Sequence, residues 1–185
     1  MANSETLDVI ARRYSCRAFA DTPVPKELLQ AVAEAGARSP SAVNLQPWRL
    51  VVISNADALH EIDRTGVATL EPAALARVES RGGRLLYNAP AMIVIAAATG
   101  DHPYPVTTDV GIVAAQVTLA AVSLGLATCI AAMPAAAFRG ESGRALRERF
   151  IPDGFEFELS VLLGYPAQPG GTQHEPDFSK ILYYG

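Results

Sequence analysis

The chain has 185 residues, one domain on the usual scale of about 100–200 residues. Half of them are apolar and 18% are charged, which excludes a disordered chain and allows a core without disulfide staples. The net charge is −4, and of fifteen cations only Lys26 and Lys180 are lysines; no dense basic block is present, which argues against a nucleic-acid partner.

Two cysteines, Cys16 and Cys129, cannot build a disulfide framework or a Cys-rich zinc site, so reduced thiols and a cytoplasmic setting are expected. The start Met1-Ala2-Asn3-Ser4-Glu5 has neither the basic residues nor the apolar run of a signal peptide.

In chain order, a first helix is predicted over about Glu5 to Arg13, with Leu7, Ile10 and Ala11 on one side. A second opens at Pro25, carries Leu28, Leu29 and Val32 as its apolar stripe, and closes at Gly36. The loop from Ser39 to Pro47 follows, then a buried strand over Leu50–Ile53. Ser54 with Asp57 resembles a capping box for a helix through Leu59 and Ile62. From Thr65 to Arg84 the pattern is hard to read: Pro72 interrupts it and Gly82-Gly83 turns it, and no large helical insertion is expected there. Ala91–Ala96 is short, apolar and β-branched, the signature of a central strand.

No charge occurs between Val110 and Phe138. A helix over about Asp109 to Leu124 is therefore apolar on every side, as in a membrane span or the middle of a packed body. Its Ala-rich composition, with Gln116, Thr118 and Ser123, favours the packed body. Thr128–Ala131 reads as a strand, Glu141–Arg149 as a polar helix, and Phe157–Leu163 as another strand; Ile181–Tyr184 is a candidate strand in the tail. Strands separated by helices of unequal length point to an α+β fold of one domain over residues 1–185.

The chain lacks G-x-G-x-x-G and G-x-x-x-x-G-K-[ST], which disfavours a Rossmann or P-loop nucleotide site. His60-Glu61-Ile62-Asp63-Arg64 begins like a zincin motif but ends in Arg, and three histidines with no paired cysteines leave little for a metal. Two stretches remain. Arg13-Tyr14-Ser15-Cys16-Arg17 offers two guanidiniums and a hydroxyl, suited to a phosphate or an electron-rich heterocycle edge, or simply a solvated pair at a helix C-terminus. Pro40-Ser41-Ala42-Val43-Asn44-Leu45-Gln46-Pro47-Trp48 is a rigid polar loop that can grip a heterocycle or merely connect two elements.

Taken together, these stretches resemble the nitroreductase family of flavoproteins, whose first motif reads about R-[RH]-S-x-[RK]-x-F and whose second reads about A-P-S-x-x-N-x-Q-P-W. Asn88-Ala89-Pro90, Asp109-Val110-Gly111, Leu124-Gly125-Leu126 and Leu163-Gly164-Tyr165-Pro166 add to the likeness, which covers about residues 7–53 and 88–166. The resemblance implies an interlocked homodimer with a mixed, mainly antiparallel sheet flanked by helices, and FMN held between two chains. Arg13, with Ser15 nearby, would bind the FMN phosphate. Arg17 would reach the pyrimidine edge of the flavin. Pro40, Ser41, Ala42 and Asn44 of the partner subunit would line the ring and ribityl chain, and backbone groups around Ala131 and Ala132 would face the N5–O4 edge. A partner chain would also cover the uncharged helix.

Tyr14 stands where the family usually has a second basic residue, able to alter the phosphate grip or to stack. His174 is the nearest match to a C-terminal Arg or Lys on the phosphate. The short segment between Ile53 and Asn88 suggests a more open pocket than in larger relatives. The implied activity is hydride transfer from NADH or NADPH through FMN to nitroaromatic, quinone or similar acceptors, with the flavin and no catalytic side chain carrying the chemistry. The alternatives are a specialised flavin enzyme (a dehalogenase or flavin-fragmenting oxidase) and a flavin-binding module that stores or senses FMN.

Overall fold

The computed structural model describes residues 4–169, 171 and 173–185; Met1, Ala2 and Asn3, at the start read above, lie outside the described residues. Helix α1 spans Glu5–Arg12 and α2 spans Lys26–Ala37. A single 3-10 turn, Ala42–Asn44, leads into β1, Trp48–Ile53. Helices α3 (Ala56–Ala68) and α4 (Pro72–Glu79) precede β2, Ala91–Ala98. Then come α5 (Val106–Ser123), β3 (Ala127–Ala131), a 3-10 segment Met133–Phe138, α6 (Arg144–Phe150) and β4 (Phe155–Gly164).

The strands form one sheet in the order β1-β2-β4-β3, each neighbouring pair antiparallel. The expected α+β class holds, and the parallel component is the isolated bridge between Ser15 and Thr128. β2 is central and covered on both faces, which is why it reads as a continuous apolar run instead of an alternating one. Its side chains still alternate by face. Met92, Val94 and Ala96 pack with Leu59, Ile62, Val78, Leu85 and Phe138 on the front. Ala91, Ile93, Ile95 and Ala97 pack with Leu29, Val32, Val113 and Val117 on the back. Thus α3, α4 and the 3-10 segment cover the front, and α2 and α5 cover the back.

Three local expectations are corrected. Gly36 does not end α2; it lies inside the helix, where an added Cβ would come within 2.5 Å of Val117 Cγ2, so it permits close approach to α5. The cap of α3 is Asn55, not Ser54: the Asn55 side chain accepts a hydrogen bond from Ala58 N at 2.9 Å. The tail forms no strand within the chain; Ile181, Leu182, Tyr183 and Tyr184 are exposed. Helix α5 is long and apolar enough to cross a membrane by length and composition. It buries Val110, Val113, Val117 and Ala121 against the sheet and α2, while Gly111, Ile112 and Ala115 face outward.

Candidate functional site

A cavity of about 500 Å³ opens on the front of the molecule, between α4, the outer edge of β3 and the 3-10 segment after it. Its wall is built from four separate stretches of chain. The first is the extended run after α1. Cys16 N donates to Thr128 O at 2.8 Å and Ala20 N donates to Tyr165 O at 2.9 Å, which pins the run along the sheet. Because successive side chains of an extended segment point to opposite sides, Cys16 is buried while its neighbours Ser15 and Arg17 are exposed. Arg17 lines the cavity.

The second stretch is α4 and the turn that ends it. Pro72 opens the helix at a position where its missing N–H costs nothing. Val78 anchors it in the front core. Gly82 and Gly83, at φ 95° and 72°, stop it in the left-handed region that a side chain would strain. Arg77, Arg81 and Arg84 all line the cavity. The buried Asp63 carboxylate of α3 accepts from Leu85 N at 2.7 Å and Leu86 N at 2.9 Å and pairs with Arg84 at 3.4 Å, fixing how the chain leaves the turn.

The third stretch is β3. Beyond Thr128 its outer edge has no strand partner among the described residues, so backbone groups of Cys129–Ala131 are available to a ligand. Ser160 Oγ donates to Ala131 O at 2.8 Å and steadies the end of the strand. The fourth is the segment that closes with Arg139. Thr69 Oγ1 donates to Ala136 O at 3.0 Å, Arg147 Nη1 donates to Phe138 O at 2.7 Å, and Gly143 N donates to Arg139 O at 3.1 Å. A Cβ on Gly143 would meet the Arg139 backbone at 2.6 Å, so this turn requires glycine.

The resulting charge is one-sided. Arg17, Arg77, Arg81, Arg84 and Arg139 line the cavity with no carboxylate among the lining residues. Burial pushes the Cys129 thiol pKa above its ordinary value, the Arg17 guanidinium pulls against that, and Cys16 adds to it. Burial likewise raises Tyr14, reinforced by the neighbouring Cys16.

Of the residues singled out in sequence, the structure brings Arg17, Ala131 and Ala132 together in this cavity. Ser15 sits beside them on the bridge to Thr128, and Arg13 ends α1 half-buried. Tyr14 packs against the front core, and its ring occupies the space a Cβ on Gly171 would need. The loop carrying Pro40, Ser41, Ala42 and Asn44 contributes no residue to the cavity wall. It is nevertheless preformed: Ala42 N donates to Asp109 Oδ1 at 3.3 Å, Gln46 N donates to Ser41 Oγ at 2.9 Å, and Val43, Asn44 and Gln46 adopt φ of 45°, 58° and 48°. Such left-handed non-glycine backbone is costly and collects at ligand-gripping loops. His174 lies exposed in the tail, outside the cavity lining.

Sequence reasoning missed Arg77, Arg81, Arg84 and Arg139. No local spacing signals them, because only Arg77 lies on α4, while Arg81 and Arg84 lie in and after the Gly82-Gly83 turn that follows it. The region from Ile53 to Asn88 adds only the eight-residue α4 after α3, and α4 walls the cavity.

The family model for the nitroreductase family matches residues 10–150. Among solved structures, a nitroreductase with bound FMN from Desulfitobacterium hafniense is 39% identical, with a TM-score of 0.92 over 99% of this chain and 100% of that one. A nitroreductase with bound FMN from Bacteroides fragilis, 24% identical with a TM-score of 0.84 over 99% of this chain and 100% of that one, shares the fold. A Methanothermobacter thermautotrophicus protein, provisionally named NADH dehydrogenase/NAD(P)H nitroreductase, is 29% identical over 96% of this chain and 86% of its own length.

Proposed function

This chain belongs to the nitroreductase family, and from that premise we propose that it is an FMN-dependent oxidoreductase passing hydride from NADH or NADPH to an electron-poor acceptor such as a quinone or nitroaromatic. The observation that carries the reading is the front cavity, where the edge of β3, without a strand partner beyond Thr128 among the described residues, meets guanidinium groups with no carboxylate among the lining residues. The donor set fits FMN, an anion with hydrogen-bonding groups along one ring edge. The volume of about 500 Å³ lies within the range of roughly 300–1,000 Å³ typical of small-molecule sites.

In this reading Arg13 and Ser15 hold the phosphate, Arg17 holds negative charge at the pyrimidine edge, and backbone groups of Ala131 and Ala132 orient the opposite edge. Pro40, Ser41, Ala42 and Asn44 of the partner subunit cover the ring, which gives the preformed loop its occupant. His174 adds to the phosphate grip from the tail, and Tyr14 acts from beneath, as packing for the Arg13–Arg17 run. When bound, FMN supplies the hydride chemistry, so no protein acid–base pair is required.

A second copy of the chain is supported by the outward apolar face of α5 and by a tail in which Tyr183 and Tyr184 are 88% and 92% exposed. Uncovered apolar surface costs about 25 cal/mol per Å². A sedimentation mass of two chains at micromolar concentration is expected.

The direct test is to load the protein with FMN and follow NADH or NADPH oxidation with and without a quinone. Quinone-dependent turnover is expected. Arg13→Ala weakens FMN binding by about tenfold or more, whereas Arg17→Ala retains FMN and lowers its midpoint potential. Bound FMN that neither nicotinamide reduces contradicts the activity and leaves a flavin-binding module.

A further inference from the structure

Four of the cavity's five guanidiniums have no role in the reading above, and of these only Arg84 has an ion-pair partner among the described residues. We propose that Arg77, Arg81 and Arg139 form an anion subsite that selects electron acceptors carrying a carboxylate on an aromatic ring. The inference rests on the oxidoreductase reading and names the substrate class of the same site.

Arg84 is engaged by Asp63 at 3.4 Å, and Arg17 stands at the strand edge beside Cys129. Arg77, Arg81 and Arg139 have no carboxylate within 4.0 Å among the described residues. Lacking an ion pair does not by itself distinguish them, since Arg38 and Arg64 also have no carboxylate within 4.0 Å among the described residues; what sets the three apart is that they meet in one cavity. Attraction to the carbonyl end of α4 accounts for Arg77 by itself. It does not account for Arg139, which enters the same cavity from another wall on a turn that Gly143 and Arg147 hold in place. Like charges gathered in a concave site repel one another and focus a positive field that an anion relieves. Beside these arginines the wall carries apolar Leu70, Ala74, Val78 and Met133, so the complementary ligand pairs a flat apolar body with a charged group. Guanidinium forks match a carboxylate in both charge and shape.

The test uses the FMN-loaded protein and two acceptors of nearly equal shape, para-nitrobenzoate and para-nitrobenzamide. The ratio of their kcat/KM values is compared between the parent and an Arg77→Gln/Arg139→Gln variant, with Arg81→Gln as a third step. Comparing ratios cancels the intrinsic reactivity of the two compounds and any loss of folded protein. The ratio is expected to fall by about tenfold or more in the double variant, and the parent's ratio to fall with rising salt. Calorimetric binding of benzoate against benzamide, with no nicotinamide present, should lose its preference for benzoate in the same variant.

A ratio that moves less than about twofold in flavin-loaded variants overturns the subsite. So does a rise in the FMN dissociation constant, or in KM for NADPH, with the acceptor ratio intact; the cluster then serves cofactor or donor phosphate. A parent protein that takes up no flavin overturns the oxidoreductase reading instead, and benzoate binding to that flavin-free protein then decides the subsite separately.

Discussion

The two faces of the sheet are covered by opposite chemistry. On the back, α2 and α5 present side chains such as Val32, Val113 and Val117, all fully buried, and Gly36 lets the helices meet closely. On the front, the same strands support an apolar layer whose outer rim carries five arginines around a cavity. The back face is a scaffold held mainly by apolar packing, with the Gln116 amide donating to Ala35 O at 3.1 Å between the two helices. The front is a site whose wall is fixed by a few polar contacts that have no substitutes, Asp63 to Leu85 and Leu86 among them. Stability and chemistry are thereby assigned to different faces of one four-stranded sheet.

Mutations on the two faces should separate these roles. The largest effect is expected from Ile93→Ala, which empties a fully buried site on the back and costs about 2–5 kcal/mol in urea unfolding. The protein that remains folded should bind FMN as the parent does. Asp63→Ala on the front leaves two buried backbone N–H groups unpaired and costs about 2–3 kcal/mol. It should also weaken FMN binding, because Arg84 and the turn before β2 lose their anchor. Equal effects of both substitutions on FMN affinity would erase the division between the faces.

How the sequence encodes each face explains which parts could be read from it. β2 was legible because burial on both faces leaves a contiguous apolar run, and α5 because 110–138 carries no charge at all, although its outer face is exposed in the single chain. Arg17 and the Pro40–Pro47 loop were legible because each lies within a short motif. The arginine rim was not, since its members come from residues 17, 77–84 and 139 and meet only through tertiary packing. Asn55 displaced Ser54 as the cap by one residue, a difference that side-chain reach decides and spacing does not. Gly36 carried the composition of a helix stop, but the proximity of Val117 gave it another purpose.

The smallest expected effect concerns pH. Burial, opposed by Arg17 and reinforced by Cys16, raises the Cys129 pKa in the folded chain above its ordinary value of 9.0. A raised folded value means that the contribution to stability is fully present below the unfolded pKa and fades as pH climbs through the folded one. The parent should therefore lose stability relative to Cys129→Ala above about pH 9, and a urea midpoint difference that stays constant from neutral to alkaline pH would remove this effect.

The most direct measurement is a titration of flavin-free protein with FMN, followed by quenching of flavin fluorescence. Saturation at one FMN per chain, with the Pro40–Trp48 loop of the neighbouring chain needed for full affinity, is the expected result. Fluorescence that stays unquenched up to about 1 mM FMN would contradict the reading of the front cavity as a flavin site.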